Sequence, residues 1–201
     1  MKLTAWIVIA VMLAGPFFAA GAAEQGQKTE AIKPALLVID IQNQYLPMMQ
    51  EKGKKMAMWY MNHIMTLFRD HGFPVILVYH TSDEFGPAPG TKEFQFPEYI
   101  TIDPKDVRIV KKSPSAFKNT DLDKILKEKG INALFLTGLS AVGCVLATYW
   151  GAAERDYTVM MVKDALLSHD AAYTDMVEDI CEVAGYDALT LILKGARASS
   201  K

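Results

Sequence analysis

Apolar residues along this chain gather into short unbroken runs, separated by longer stretches of helical periodicity. The run Ala35-Leu-Leu-Val-Ile-Asp40-Ile, opened by Pro34, shows no polar alternation before its aspartate. Runs of that kind are strands covered on both faces, as in a parallel sheet. Comparable runs at 74–79, 107–111, 133–137, 158–162 and 188–193 predict five further strands. Between them, Met58, Met61, Ile64, Met65 and Phe68 recur near helical spacing within 55–71, with Gly72 as the stop. Asn119 or Thr120 caps a helix ending at Gly130, a third helix runs from Val145, and 171–184 form a fourth. That last helix places Met176, Val177, Ile180, Cys181 and Ala184 on one apolar face, which makes Cys181 a core residue.

Strand and helix alternate almost end to end. The alternation predicts an α/β three-layer sandwich around a central six-stranded, mainly parallel sheet. The exception is 81–104, an irregular stretch rich in Pro and Gly that carries Phe85, Phe94, Phe96 and Tyr99. Loops of this length are functional or disordered. This one reads either as an aromatic plug for the sheet edge or as a lid, shared across an oligomer interface.

The N-terminus follows a different pattern. Lys2 is the only charge before Glu24, and the apolar residues between them end in Ala20-Gly21-Ala22. A short positive start, an apolar middle and an A-x-A ending predict a secretory signal peptide over 1–23. A polar linker at 24–33 and the folded domain at 34–197 follow, and the expected location is periplasmic or secreted. The charge-free stretch of 21 residues is also close to the ~20 that span a bilayer. An uncleaved membrane anchor is therefore the alternative, weakened by Gly15, Pro16 and Gly21.

A net charge of −2 gives no footprint for nucleic acid or an anionic membrane surface. The expected partner is a small molecule. Export implies an oxidising compartment, where Cys144 and Cys181 could form one structural disulfide. Their expected places on different helices argue against it, and no C-x-x-C motif supports a redox pair.

In a parallel sheet, ligands bind outside the carboxyl ends of the strands. Three reactive groups fall at that edge: Asp40 near the end of the first strand, Lys111 at the end of the third, and Cys144 behind the fourth. A thiol opening a helix sits where unpaired N–H groups and the helix dipole favour the thiolate. The bland alternative for Cys144 is a small buried hydrophobe. A cysteine nucleophile needs a base and a cation, which Asp40 and Lys111 can supply. Backbone N–H groups of Ser140 and Cys144 could form an oxyanion hole. Tyr45 and His80 are candidate substrate contacts, with Trp150 and His169 as weaker ones.

The pieces around these residues carry a resemblance. Leu37-Val-Ile-Asp40-Ile-Gln42-Asn43 is followed by Val110-Lys111-Lys-Ser-Pro-Ser115-Ala116-Phe117-x-x-Thr120-Asp121-Leu122. Then come Thr137-Gly138-Leu-Ser-Ala-Val-Gly-Cys144-Val145, Ala147-Thr148, Asp156-Tyr-Thr-Val and Val162-x-Asp164-Ala165. In this order and spacing the chain resembles the isochorismatase-like cysteine hydrolase family, which includes nicotinamidases and N-carbamoylsarcosine amidases. The resemblance implies an Asp–Lys–Cys triad at Asp40, Lys111 and Cys144, and a cis peptide at Leu139–Ser140. It further implies a homo-oligomer and C–N bond cleavage of a small amide or ureido substrate through a thioester, without a cofactor.

Two departures bear on the substrate. Many members carry Thr three residues before the cysteine, where this chain has Ala141. Nicotinamidases carry an Asp-x-His metal motif after the second strand, where this chain reads His80-Thr-Ser-Asp83-Glu84. That spacing does not match, and no metal is expected. A binding protein that kept the fold and lost efficient chemistry, or a hydrolase of a non-amide molecule, is the competing reading.

Overall fold

The computed structural model describes residues 31–84 and 86–199. The signal-peptide expectation, most of the linker and Phe85 lie outside them. The chain from Ala31 onward forms one compact unit. Six strands build its sheet: β1 (Pro34–Ile39), β2 (Val75–His80), β3 (Val107–Lys111), β4 (Ala133–Leu139), β5 (Thr158–Leu167) and β6 (Val183–Ala184). Five helices flank it: α1 (Lys54–Asp70), α2 (Leu122–Glu128), α3 (Leu146–Ala153), α4 (Ala171–Ile180) and α5 (Tyr186–Ser199). The strand order is β3-β2-β1-β4-β5-β6, and every pairing is parallel.

Successive strand residues point to opposite faces, so each central strand feeds two cores. Leu36 and Val38 of β1 join Met58, Met61, Ile64, Met65 and Phe68 of α1 and Leu189 and Leu193 of α5. Ala35, Leu37 and Ile39 join Leu122 and Leu126 of α2, Tyr149 and Ala152 of α3 and Val177 of α4. This is the three-layer sandwich that the uninterrupted apolar runs predict. The methionines of α1 fill one of these cores, apart from Met56, which is exposed.

The C-terminal strand expected at 188–193 is a helix. In a strand Leu189, Leu191 and Leu193 would share a face, whereas Leu189 and Leu193 are fully buried and Leu191 is 71% exposed. The apolar run was short enough to fit either period, and packing on α1 selects the helical one. The sixth strand is instead Val183–Ala184, paired with Met161 and Val162. Helix α4 accordingly stops at Ile180, and Cys181 lies in extended backbone at its end, half-buried rather than on a helical core face. Both cysteines are free thiols.

The 81–104 stretch plugs the sheet edge. Phe94 and Phe96 are buried and stack on Tyr79 with ring centroids 5.0 and 4.3 Å away, while Tyr99 is exposed. Among the described residues no helix is long and apolar enough to cross a membrane.

Gly138 is where the backbone of β4 passes close against Ile39 of β1. Its φ is +117°, and a Cβ there would lie 2.0 Å from the Ile39 carbonyl oxygen. Gly138→Ala is therefore expected to cost ~3 kcal/mol or more, from the backbone conformation and the clash together. A urea melt with an unchanged midpoint would contradict this account of the β1–β4 contact.

Candidate active site

Four adjacent strands, β3, β2, β1 and β4, each bring one polar side chain to the C-terminal edge of the sheet. In that order they are Lys111, His80, Asp40 and, just past β4, Cys144. Parallel register does this directly, because His80 stands opposite Lys111 and the strands beside them end at the same level.

Asp40 leaves β1 with a positive φ of 54°, a left-handed conformation that Asp tolerates better than most residues. Its N–H still donates to the Val78 carbonyl at 2.9 Å, and its own carbonyl accepts from the Gln42 N–H at 2.7 Å. The turn aims the carboxylate along the strand ends toward Lys111. The Lys111 side chain is fully buried, and its Nζ donates to Asp40 Oδ2 at 2.7 Å and to His80 Nδ1 at 2.9 Å. The neighbouring Lys112 is exposed and pairs with Asp83 on the surface.

Gln42 is buried and clamps the His80 backbone at both ends. Its Nε2 donates to the His80 carbonyl at 3.0 Å, and its Oε1 accepts the His80 N–H at 2.7 Å. The residue type alone did not single out Gln42; its place two residues after Asp40 in the same motif was the available signal.

The β4 strand ends at a cis peptide between Leu139 and Ser140. A π-helical turn, Ala141–Val145, then leads into α3, and Gly143 breaks its helical angles at φ −109°, ψ −109°. The Ser140 carbonyl accepts from the N–H groups of Gly143 at 2.9 Å and Val145 at 3.3 Å. Thr148 ties this turn to the 113–121 segment. Its hydroxyl donates to the Cys144 carbonyl at 2.7 Å and accepts from the Ala116 N–H at 3.0 Å.

Cys144 thus sits before the first turn of α3 rather than at its opening. Its thiol is pushed up to about 12, first by burial and then by the negative charge of Asp40, with Lys111 opposing. This shift runs opposite to the pull toward thiolate expected of a helix N-terminus. Burial also raises Asp40 above the ordinary carboxylate range, against the attraction of Lys111. His80 is pushed down to about 4 by burial and by Lys111, so its ring is neutral.

A cavity of about 240 Å³ opens over these groups, lined by Asp40, Tyr45, Met48, Met49, His80, Ser82, Leu139, Ser140 and Cys144. Tyr45 and His80 are at this cavity, with ring centroids 6.0 Å apart. Trp150 is not; it lines a separate surface groove with Ser115 and Arg155. His169 packs beside Tyr173 beyond β5. Met48 and Met49 went unnoticed in the sequence, because the short 3₁₀ turn Leu46–Met48 that presents them has no periodic signature.

Ligand-type atoms of Asp40, His80 and Cys144 lie within 4.8 Å of one another, close enough to surround a small ion. Lys111 already fills that role. Its ammonium donates to Asp40 and His80, and its charge opposes the rise of the Cys144 thiol. Asp83 does not complete a metal set with His80, since its carboxylate is exposed and bonded to Lys112.

Residues 34–184 match the isochorismatase domain model. The chain is 34% identical to the uncharacterized isochorismatase family protein YddQ of Bacillus subtilis, across 72% of this chain and 81% of that one. It is 29% identical to the probable inactive nicotinamidase of Arabidopsis thaliana, across 71% and 87%. The crystal structure of N-carbamoylsarcosine amidase from Thermoplasma acidophilum superposes with a TM-score of 0.66 at 25% identity, covering 77% of this chain and 99% of that one. The chain belongs to the isochorismatase family.

The electrostatics of the site set a direction for thiol reactivity. Asp40→Asn removes the charge that raises the thiol and leaves Lys111 in place. At pH 8, iodoacetamide should therefore alkylate Cys144 in the variant faster than in the wild type, by about tenfold for each pKa unit recovered. Equal or slower alkylation would show that Asp40 does not hold the thiol protonated.

Proposed function

We propose that this chain is an exported cysteine hydrolase that cleaves a C–N bond of a small amide or ureido compound through a thioester. The observation that carries the reading is that Asp40 and Cys144 line one small cavity, with buried Lys111 bonded to Asp40. Membership of a family with an N-carbamoylsarcosine amidase among its structural neighbours supports the C–N chemistry.

The resting pair is a neutral thiol and a carboxylate. As the substrate carbonyl approaches, Asp40 takes the Cys144 proton and the sulfur attacks the carbonyl carbon. The oxyanion is held by the backbone N–H groups of Ser140 and Cys144. Asp40 then returns its proton to the leaving nitrogen, which departs as amine or ammonia and leaves the acyl group on sulfur. Water, deprotonated by Asp40, hydrolyses that thioester and restores the thiol. Lys111 remains charged throughout, offsetting the carboxylate before transfer and the thiolate during it. Burial of Asp40 raises its proton affinity, as a base that must take a proton from a thiol requires.

Tyr45 and His80 contact the substrate beyond the reacting carbonyl, and Met48 and Met49 give that end an apolar wall. A binding role without turnover is the second reading. It is favoured by Ala141, which lacks the hydroxyl that many members carry there, and by the similarity to a plant protein named as inactive.

Ammonia release should be measured across small primary amides and ureido acids. At least one should be a substrate, and Cys144→Ala and Asp40→Asn should each lower its turnover by about a thousandfold or more with far-UV dichroism unchanged. Undiminished turnover in Cys144→Ala would remove the mechanism. No release from any compound by folded protein would decide for the binding reading.

A further inference from the structure

Of the four strand-end groups, His80 is the one the proposed chemistry leaves without a step. Its surroundings nevertheless constrain it on three sides. Gln42 clamps its backbone, Tyr45 packs edge-on against its ring, and Lys111 Nζ lies 2.9 Å from Nδ1. An ammonium has no lone pair and can only donate. Nδ1 must therefore accept, which puts the proton of the neutral ring on Nε2. His80 lines the cavity, so its Nε2–H is a donor of fixed identity beside the reacting groups.

A second donor stands near it. Tyr45 Oη is buried and has no hydrogen-bond partner among the described residues. Tyr45 lines the same cavity as Asp40 and Cys144. Its hydroxyl stays protonated, held up to about 12 by burial and by Asp40. Buried polar groups in native proteins are nearly always partnered, so a donor left open at a cavity wall calls for an acceptor on the ligand. Met48, Met49 and Leu139 make the rest of the wall apolar apart from Ser82 and Ser140.

We infer that His80, locked by Lys111 as its Nε2–H tautomer, acts with Tyr45 as a specificity determinant that selects substrates bearing an oxygen acceptor, carbonyl or carboxylate, on the end remote from the scissile bond. The inference rests on the small-amide reading of the site. A substrate that presents an apolar group there gives neither the buried Tyr45 hydroxyl nor the His80 Nε2–H a partner, and one that presents only a donor gives the Nε2–H none. Sites built around hydrogen bonds reject analogues that lack the partner far more strongly than apolar pockets reject a changed methylene.

Two measurements test it, and neither requires turnover. The first is the ¹⁵N NMR signature of the imidazole at neutral pH in full-length protein, assigned by its loss in His80→Gln. A neutral ring with its proton on Nε2 is expected; a proton on Nδ1 would overturn the inference. The second is binding to Cys144→Ala of succinamate and 4-oxopentanamide, each against the isosteric 4-methylpentanamide, which lacks the acceptor. The acceptor-bearing amides should bind tighter by about tenfold or more. Adding His80→Ala should collapse that ratio, and His80→Gln, which keeps an N–H donor, should restore part of it. A ratio near one, or a ratio that His80→Ala leaves intact, overturns the inference whether the donor is offered to a carbonyl or to a carboxylate. If the tautomer and ratio hold while the wild type splits no amide, the proposed hydrolysis falls and the recognition stands. Amide turnover with no His80-dependent ratio gives the reverse.

Discussion

The buried ammonium of Lys111 is the interaction on which the rest of the site depends. It holds Asp40 and His80 at hydrogen-bond distance, so one cation orients groups from two other strand ends, and its charge opposes the rise of the Cys144 thiol. Stability does not account for it. A buried ion pair recovers little beyond its desolvation cost, and apolar replacements of similar volume are often neutral or stabilising by ~1–4 kcal/mol. Losing only one member of such a pair is far worse, at ~3–5 kcal/mol, because it leaves a charge unpaired inside the protein. Breaking the pair from one side is therefore the costly change, and the Lys111 charge adds to burial in lowering His80.

The backbone is shaped to deliver these groups. A doubly covered parallel sheet ends its strands at one level, and β3, β2, β1 and β4 are consecutive neighbours. Asp40 must turn inward immediately after β1, which it does in a left-handed conformation, and β4 must approach β1 closely at Gly138 before turning toward Cys144. The 81–104 segment seals the flank by stacking Phe94 and Phe96 on Tyr79. Burial of the ionisable groups follows from this packing, and it raises both Asp40 and Cys144. Both groups therefore hold a proton more firmly than they would in water.

Much of this was legible along the chain. Unbroken apolar runs such as 35–39 and 133–137 specify strands covered on both faces, because a half-exposed strand would alternate. The methionine spacing of α1 specifies a helix with one buried side, and Asp40, Lys111 and Cys144 each stand where such a strand stops. Covalent order and periodicity suffice for these features, which are local. The run at 188–193 failed because six residues of mixed Ala, Leu, Thr and Ile satisfy either period until a partner surface chooses, and Cys181 moved with that error.

Sequence by itself determined the α/β architecture, the family and the residue types that meet at the sheet edge. Tertiary structure alone decided how they meet. Strand order puts His80 between Lys111 and Asp40, a relation invisible to residues 31 and 40 positions apart. The direction of the Lys111 hydrogen bond sets the His80 tautomer, and burial beside Asp40 raises the Cys144 thiol. These are properties of distance and dielectric, and they arise only once the strands are side by side and water has been excluded.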